Sequence, residues 1–123
     1  MIAKNISGKF GEMYAAKHLE QNGYKIICRN YKTKIAEIDI IAENDGCLCF
    51  VEVKTRKNKE FGSGGEWVNG AKQHKMVLGA ESYIVSHPQY SRFRFDVVEV
   101  YGEMMPGGFA VSEINVIKNA FDV

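Results

Sequence analysis

Apolar positions along the chain change period several times, and each change marks an element. Phe10, Met13, Tyr14 and Leu19 recur at helical spacing behind Ser7, a capping residue, and Gly23 stands where such a helix stops. A first helix is therefore expected from about Gly8 to Asn22. Tyr24 to Tyr31, centred on Ile26 and Ile27, reads as a strand; Ile35 to Glu43 and Cys47 to Thr55 read as two more, joined by the two-residue turn Asp45-Gly46. The runs Ile38, Ile40, Ile41, Ala42 and Leu48 to Val51 are almost continuously apolar, the mark of internal strands covered on both faces. From Arg56 to Glu66 charge and glycine replace this pattern, and a mobile surface loop is expected. A second helix follows from about Val68 to Val85, closed by His87-Pro88. Arg92 to Tyr101, with Phe93, Phe95 and Val97 on one side, and Phe109 to Ile117 complete the strands around a Pro106-Gly107-Gly108 turn. The order αβββαββ predicts an α/β fold, a mixed central sheet flanked by helices.

Composition narrows this little. At 123 residues, 46% hydrophobic and 25% charged, the chain suits one domain spanning 1–123. A net charge of +1 excludes neither nucleic acid nor small substrates, because a balanced sum hides local basic surfaces. The first residues lack the apolar core of a signal peptide, and no stretch approaches the roughly 20 apolar residues of a membrane span, so a cytoplasmic protein without membrane contact is expected. Cys28, Cys47 and Cys49 have neither disulfide nor zinc spacing and read as small hydrophobes; His18, His74 and His87 read as structural or surface residues.

The charges inside the hairpin carry the chemistry. Folding about Asp45-Gly46 pairs Asn44 with Cys47 and runs outward to set Asp39 opposite Glu52 and Glu37 opposite Lys54, all four on one face. Like charges about 5 Å apart across a sheet repel, so the pair calls for a cation. One reading is a satisfied ion network in which Lys54 pairs with Glu37 and bridges toward Glu52. The other is a metal site: Asp39, Glu52 and the Val53 carbonyl offer oxygen ligands to Mg²⁺ or Mn²⁺, with Lys54 beside them to orient a water and steady charge on a phosphate. Phosphodiester hydrolysis fits that set.

Gly11-Glu12, the segment Glu37 to Ala42, the segment Phe50 to Arg56, Lys72-Gln73 and the segment Arg94 to Val98 together resemble the YraN family of small bacterial proteins, over nearly the whole chain from Gly8 to Phe121. That family is placed in the PD-(D/E)XK nuclease superfamily, close to archaeal Holliday-junction resolvases. The resemblance implies a restriction-endonuclease-like fold and a Mg²⁺- or Mn²⁺-dependent nuclease. It makes Asp39 and Glu52 metal ligands, Lys54 the motif lysine, Glu12 the helix acid that completes the metal site, and Gln73 a polar residue aimed at the site. Ile38 stands where the superfamily motif has proline, and Ala36 where glycine is usual before Glu-Ile-Asp. A homodimer follows only by analogy with resolvases.

Basic segments flank the motif: Lys25, Arg29, Lys32 and Lys34 before it, then Lys54, Arg56, Lys57 and Lys59 after it, with Lys72 beyond the loop. Such clusters supply sequence-independent phosphate contacts, and Phe61 and Trp67 are candidates for base stacking or for core anchors. Two functions remain open at this level. One is a nuclease acting on nucleic acid, DNA first and branched or structured forms among its candidate substrates; the other is a non-catalytic module of nuclease ancestry that binds nucleic acid or protein.

Overall fold

A computed structural model describes residues 2–58 and 69–122. Its elements are α1 (Ile2–Gln21), β1 (Lys25–Lys32), β2 (Glu37–Asn44), β3 (Cys47–Arg56), α2 (Gly70–Val85), β4 (Phe93–Met105) and β5 (Gly108–Ile117). The strands lie side by side in sequence order, antiparallel except for β3 against β4. Parallel neighbours need a crossover, and α2 lies within it, packed on one face of the sheet. There Met76, Ala80 and Tyr83 meet Ile38, Ile41, Phe50 and Val97. On the other face Ala15, Ala16 and Leu19 of α1 meet Ile40, Ala42, Val51 and Val98. Because β2 and β3 feed both layers, apolar residues fill consecutive positions in each, Ile40 to Ala42 and Cys47 to Val51. The result is the expected α/β architecture, a five-stranded mixed sheet flanked by helices, restriction-endonuclease-like in its αβββαββ order.

Several boundaries differ from expectation for local reasons. α1 starts at Ile2, so Ser7 lies inside the helix instead of capping it; the preceding residues contain neither glycine nor proline to stop it. Its end is as expected: Gly23 has φ 89°, and Tyr24 N–H donates to Leu19 O at 2.9 Å, closing the last turn. β2 starts at Glu37 because Thr33 Oγ1 accepts the N–H groups of Ile35 and Ala36, folding that segment into a turn. α2 begins at Gly70 behind Asn69, whose Oδ1 accepts Lys72 N–H at 2.9 Å. The segment expected as a mobile loop falls largely outside the described residues, as do Lys59, Phe61 and Trp67.

Two close approaches matter for the site. Gly11 lets α1 rest directly on β3, since a Cβ there would land on Thr55 Oγ1. That contact brings the next residue, Glu12, to the end of the β3 motif. Gly79 does the same for α2, where an added Cβ would lie 3.1 Å from Ile38. Among the described residues no helix is long and apolar enough to cross a membrane.

Candidate functional site

The hairpin adopts the register its turn dictates. Asp45 and Gly46 have φ of 53° and 75°, Asn44 pairs with Cys47, and the ladder runs to Ile40 opposite Val51. Asp39 and Glu52 form the next level, and here backbone pairing gives way to a side chain: Val53 N–H donates to Asp39 Oδ2 at 2.8 Å. The N–H and C=O of one strand residue point to the same edge, so the Val53 carbonyl also faces the gap where β2 leaves β3.

Regular alternation would keep Glu37 and Asp39 on one face, and the structure interrupts it. Ile38 packs in the α2 layer while Ile40, two residues on, packs in the α1 layer. The four hairpin charges therefore do not form one row. Glu52, 3% exposed, receives Lys72 Nζ at 3.0 Å and Lys54 Nζ at 3.7 Å. Lys54 thus makes the expected bridge to Glu52, an ion pair along its own strand. The closer cation comes from α2. Lys72 was expected only as a phosphate contact, and no periodicity marks it; the crossover brings it here. Burial works against the charge on Lys72, but Glu52, with Asp39 and Glu37 behind it, outweighs this and raises its pKa.

Burial, then the neighbouring Glu52, pushes the Asp39 carboxyl up to about 8, against the opposing pull of Val53 N–H. The folded protein keeps a proton on Asp39, shared toward Glu52, over a range where the unfolded carboxyl has lost it. Between 3.8 and about 8 the native state consequently binds more protons, and its stability falls as pH rises through that window. In chelator-treated protein, melting temperature followed across this range should decline less steeply for Asp39→Asn than for the wild type. Equal slopes would exclude Asp39 as the proton holder.

Glu12, Asp39, Glu52, Val53, Lys54 and Thr55 line one cleft of about 360 Å³. Glu12 is raised by its burial, Arg29 pulling the other way, and its charge in turn raises Asp39. Among the described residues, no three His, Cys, Asp or Glu side chains converge tightly enough to hold an ion. Glu12 is thus a neighbour of the Asp39 and Glu52 pair, not a third converging carboxylate. The donors that do meet, two carboxylates and a backbone carbonyl at a solvent-reachable gap, suit a hydrated Mg²⁺ or Mn²⁺, which takes one or two carboxylates and keeps its waters. A soft or zinc-like ion finds no thiol or imidazole there. Of the Lys72-Gln73 element, Lys72 contacts Glu52, while Gln73 is half-buried in the same first turn.

Two hollows adjoin this cleft. The larger, about 880 Å³, is lined by Lys9, Glu12, Arg29, Asn30, Lys32 and Glu37; the smaller, about 330 Å³, shares Lys32 and Glu37 and adds Lys72 and Lys75. The basic residues after the motif lie on the other side. Lys57 is paired with Glu103 at 3.3 Å, and Arg56 and Lys57 line a third hollow that shares Ser7 and Thr55 with the cleft and runs beside Gly102 and Met104.

The far, hairpin end of the sheet holds a second polar cluster. Arg94 donates from Nε to Asp96 Oδ1 at 2.8 Å, and from Nη2 to Asp96 Oδ2, Asn44 Oδ1 and Tyr24 OH at 2.9, 2.9 and 3.0 Å. Asp96, wholly buried, also accepts Tyr24 OH and Asn119 N–H. Burial and this carboxylate push the Cys49 thiol up to about 12, so it stays protonated and inert, as a small hydrophobe should.

Comparison with known proteins agrees with this architecture's extent. The family model described as uncharacterised protein family UPF0102 matches residues 11–100. A UPF0102 protein of Caldanaerobacter subterraneus is 43% identical over 122 residues, covering 98% of both chains. Others from Caldicellulosiruptor bescii and Clostridium botulinum are 43% and 40% identical over 116 and 118 residues, covering 93% and 94% of this chain and 95% and 94% of theirs. With the family model spanning the helix acid, the hairpin and the first part of β4, and these relatives aligning almost end to end, the chain belongs to the uncharacterised protein family UPF0102.

Proposed function

We propose that this protein is a metal-dependent nuclease of the PD-(D/E)XK type that hydrolyses phosphodiesters in nucleic acid. The observation that carries this reading is the meeting of Asp39, Glu52 and the Val53 carbonyl with Lys54 and Lys72 at the open end of the β2 and β3 pair. Bound there, Mg²⁺ or Mn²⁺ would acidify a water and neutralise charge on the phosphate. Asp39, Glu52 and Val53 would supply its protein ligands. Lys54 and Lys72 are already held beside Glu52 by its charge, from where one ammonium can turn to a phosphate oxygen as negative charge builds. The proton on Asp39 has to leave before that carboxylate can ligate, so metal binding strengthens as pH rises toward 8.

The nucleic acid would approach along β1. Lys9, Arg29, Lys32, Lys72 and Lys75 line the two hollows that flank the cleft on that side, whereas Lys57 is engaged with Glu103. Such contacts favour phosphates irrespective of base sequence and weaken with salt.

The test is incubation of purified protein with linear, flapped and four-way branched DNA, and with RNA, in Mg²⁺ or Mn²⁺, beside Asp39→Ala. The expected result is cleavage of at least one substrate by the wild type, lost in the variant and with chelator. Equal products from both proteins would indicate a contaminant. Salt-sensitive DNA binding without cleavage, unchanged by metal, would instead favour the non-catalytic module.

A further inference from the structure

The register places Asn30 opposite Asp39, between the pairs Arg29 with Ile40 and Tyr31 with Ile38. Asn30 lies in the middle of β1 yet has φ 56°, a left-handed conformation that side chains other than glycine, asparagine and aspartate adopt at a cost. Both strands change face at this level. On β2 the change falls between Ile38 and Ile40; on β1 it falls between their partners, Tyr31 in the α2 layer beside Ile38 and Arg29 across from Ile40 of the α1 layer. A regular strand would keep residues two apart on one face. The left-handed turn at Asn30 supplies the extra rotation on β1, and Asp39 is the residue across from it, its carboxylate directed to Val53 N–H on the next strand.

The Asn30 side chain lines the same hollow as Glu12, and its amide favours the charged form of that carboxyl. One residue thus shares a hollow with the helix acid through its side chain and sets, with its backbone, the level at which β2 flips. Neither feature is needed to close the sheet, since β1 is an edge strand.

We propose that Asn30 is a positioning residue of this site: its left-handed backbone fixes the face change that presents Asp39, and its side-chain amide holds Glu12 toward the Asp39 and Glu52 pair. The consequence for metal binding rests on the function proposed above; the Asn30 to Glu12 contact does not.

Three variants separate the parts. Asn30→Gly keeps the left-handed backbone free of strain and deletes the amide; Asn30→Ala deletes the amide and strains the backbone. In metal-free protein, the Asn30 side-chain amide resonances should shift in Glu12→Ala; no shift overturns the contact whatever the metal does. By calorimetric titration with Mn²⁺, Asn30→Gly should melt within a few degrees of the wild type yet bind about 10-fold more weakly, as loss of a partner lying behind the metal ligands does. Asn30→Ala should lose more affinity than Asn30→Gly and also melt lower. Wild-type affinity in Asn30→Gly overturns the positioning role of the amide, and wild-type affinity in Asn30→Ala overturns that of the backbone as well. A wild type that takes up no Mn²⁺ overturns the metal reading and the role in ligation together, leaving the amide resonances to decide the contact.

Discussion

Glu52→Gln is expected to abolish Mn²⁺ binding and to lower cleavage at least about 100-fold, because the substitution keeps shape and removes charge where several kcal/mol of electrostatic stabilisation is concentrated. Glu52 is almost fully buried and is the meeting point of the site: Lys72 at 3.0 Å, Lys54 at 3.7 Å, and Asp39 sharing a proton toward it. With a neutral amide there, the two lysines lose their common anchor and Asp39 loses its like-charged neighbour. The fold should survive, since Gln fills the same volume and the ladder below it, ending at Ile40 and Val51, is untouched. Circular dichroism, Mn²⁺ titration and a cleavage assay on one preparation check all three statements. Undiminished Mn²⁺ binding by a folded Glu52→Gln protein would remove Glu52 from the ligand set.

Arg94→Ala should produce the largest loss of stability, about 3–5 kcal/mol, by leaving Asp96 buried with its charge uncompensated. For a chain of this size that is a fall in melting temperature on the order of 10–20 °C. The guanidinium spans Asp96, Asn44 and Tyr24, which belong to β4, β2 and the turn after α1, and Asp96 also holds Asn119 beyond β5. Arg94→Lys keeps the charge but cannot reach three acceptors from one planar group, so an intermediate loss is expected. Thermal unfolding measures both. An Arg94→Ala protein that melts with the wild type would show that the network is dispensable.

The two predictions concern opposite ends of one sheet, and the ends were unequally legible. At the site end, Asp39, Glu52 and Lys54 stood out because charges inside apolar strand runs need a reason. At the hairpin end, Tyr24, Asn44, Arg94, Asp96 and Asn119 are scattered through the chain. The available signal was Asp96 alone, an acid between Phe95 and Val97; its partners follow no spacing.

The contrast has a physical source. A type I′ turn at Asp45-Gly46 admits one register, so the level of Asp39 and Glu52 could be counted outward from two residues, just as Gly23 marked a helix end by its backbone freedom. Element order and the apolar strand runs are likewise local or periodic properties, written directly in the chain. Lys72 at Glu52, the left-handed Asn30 across from Asp39, and the Arg94 network arise where segments distant in sequence are brought together by packing. Which lysine lies closer to Glu52 depends on how α2 seats against β2, and which way Asp39 points depends on a rotation shared by two strands. Neither leaves a period or a motif, because each is a property of the assembled layers and not of any one segment.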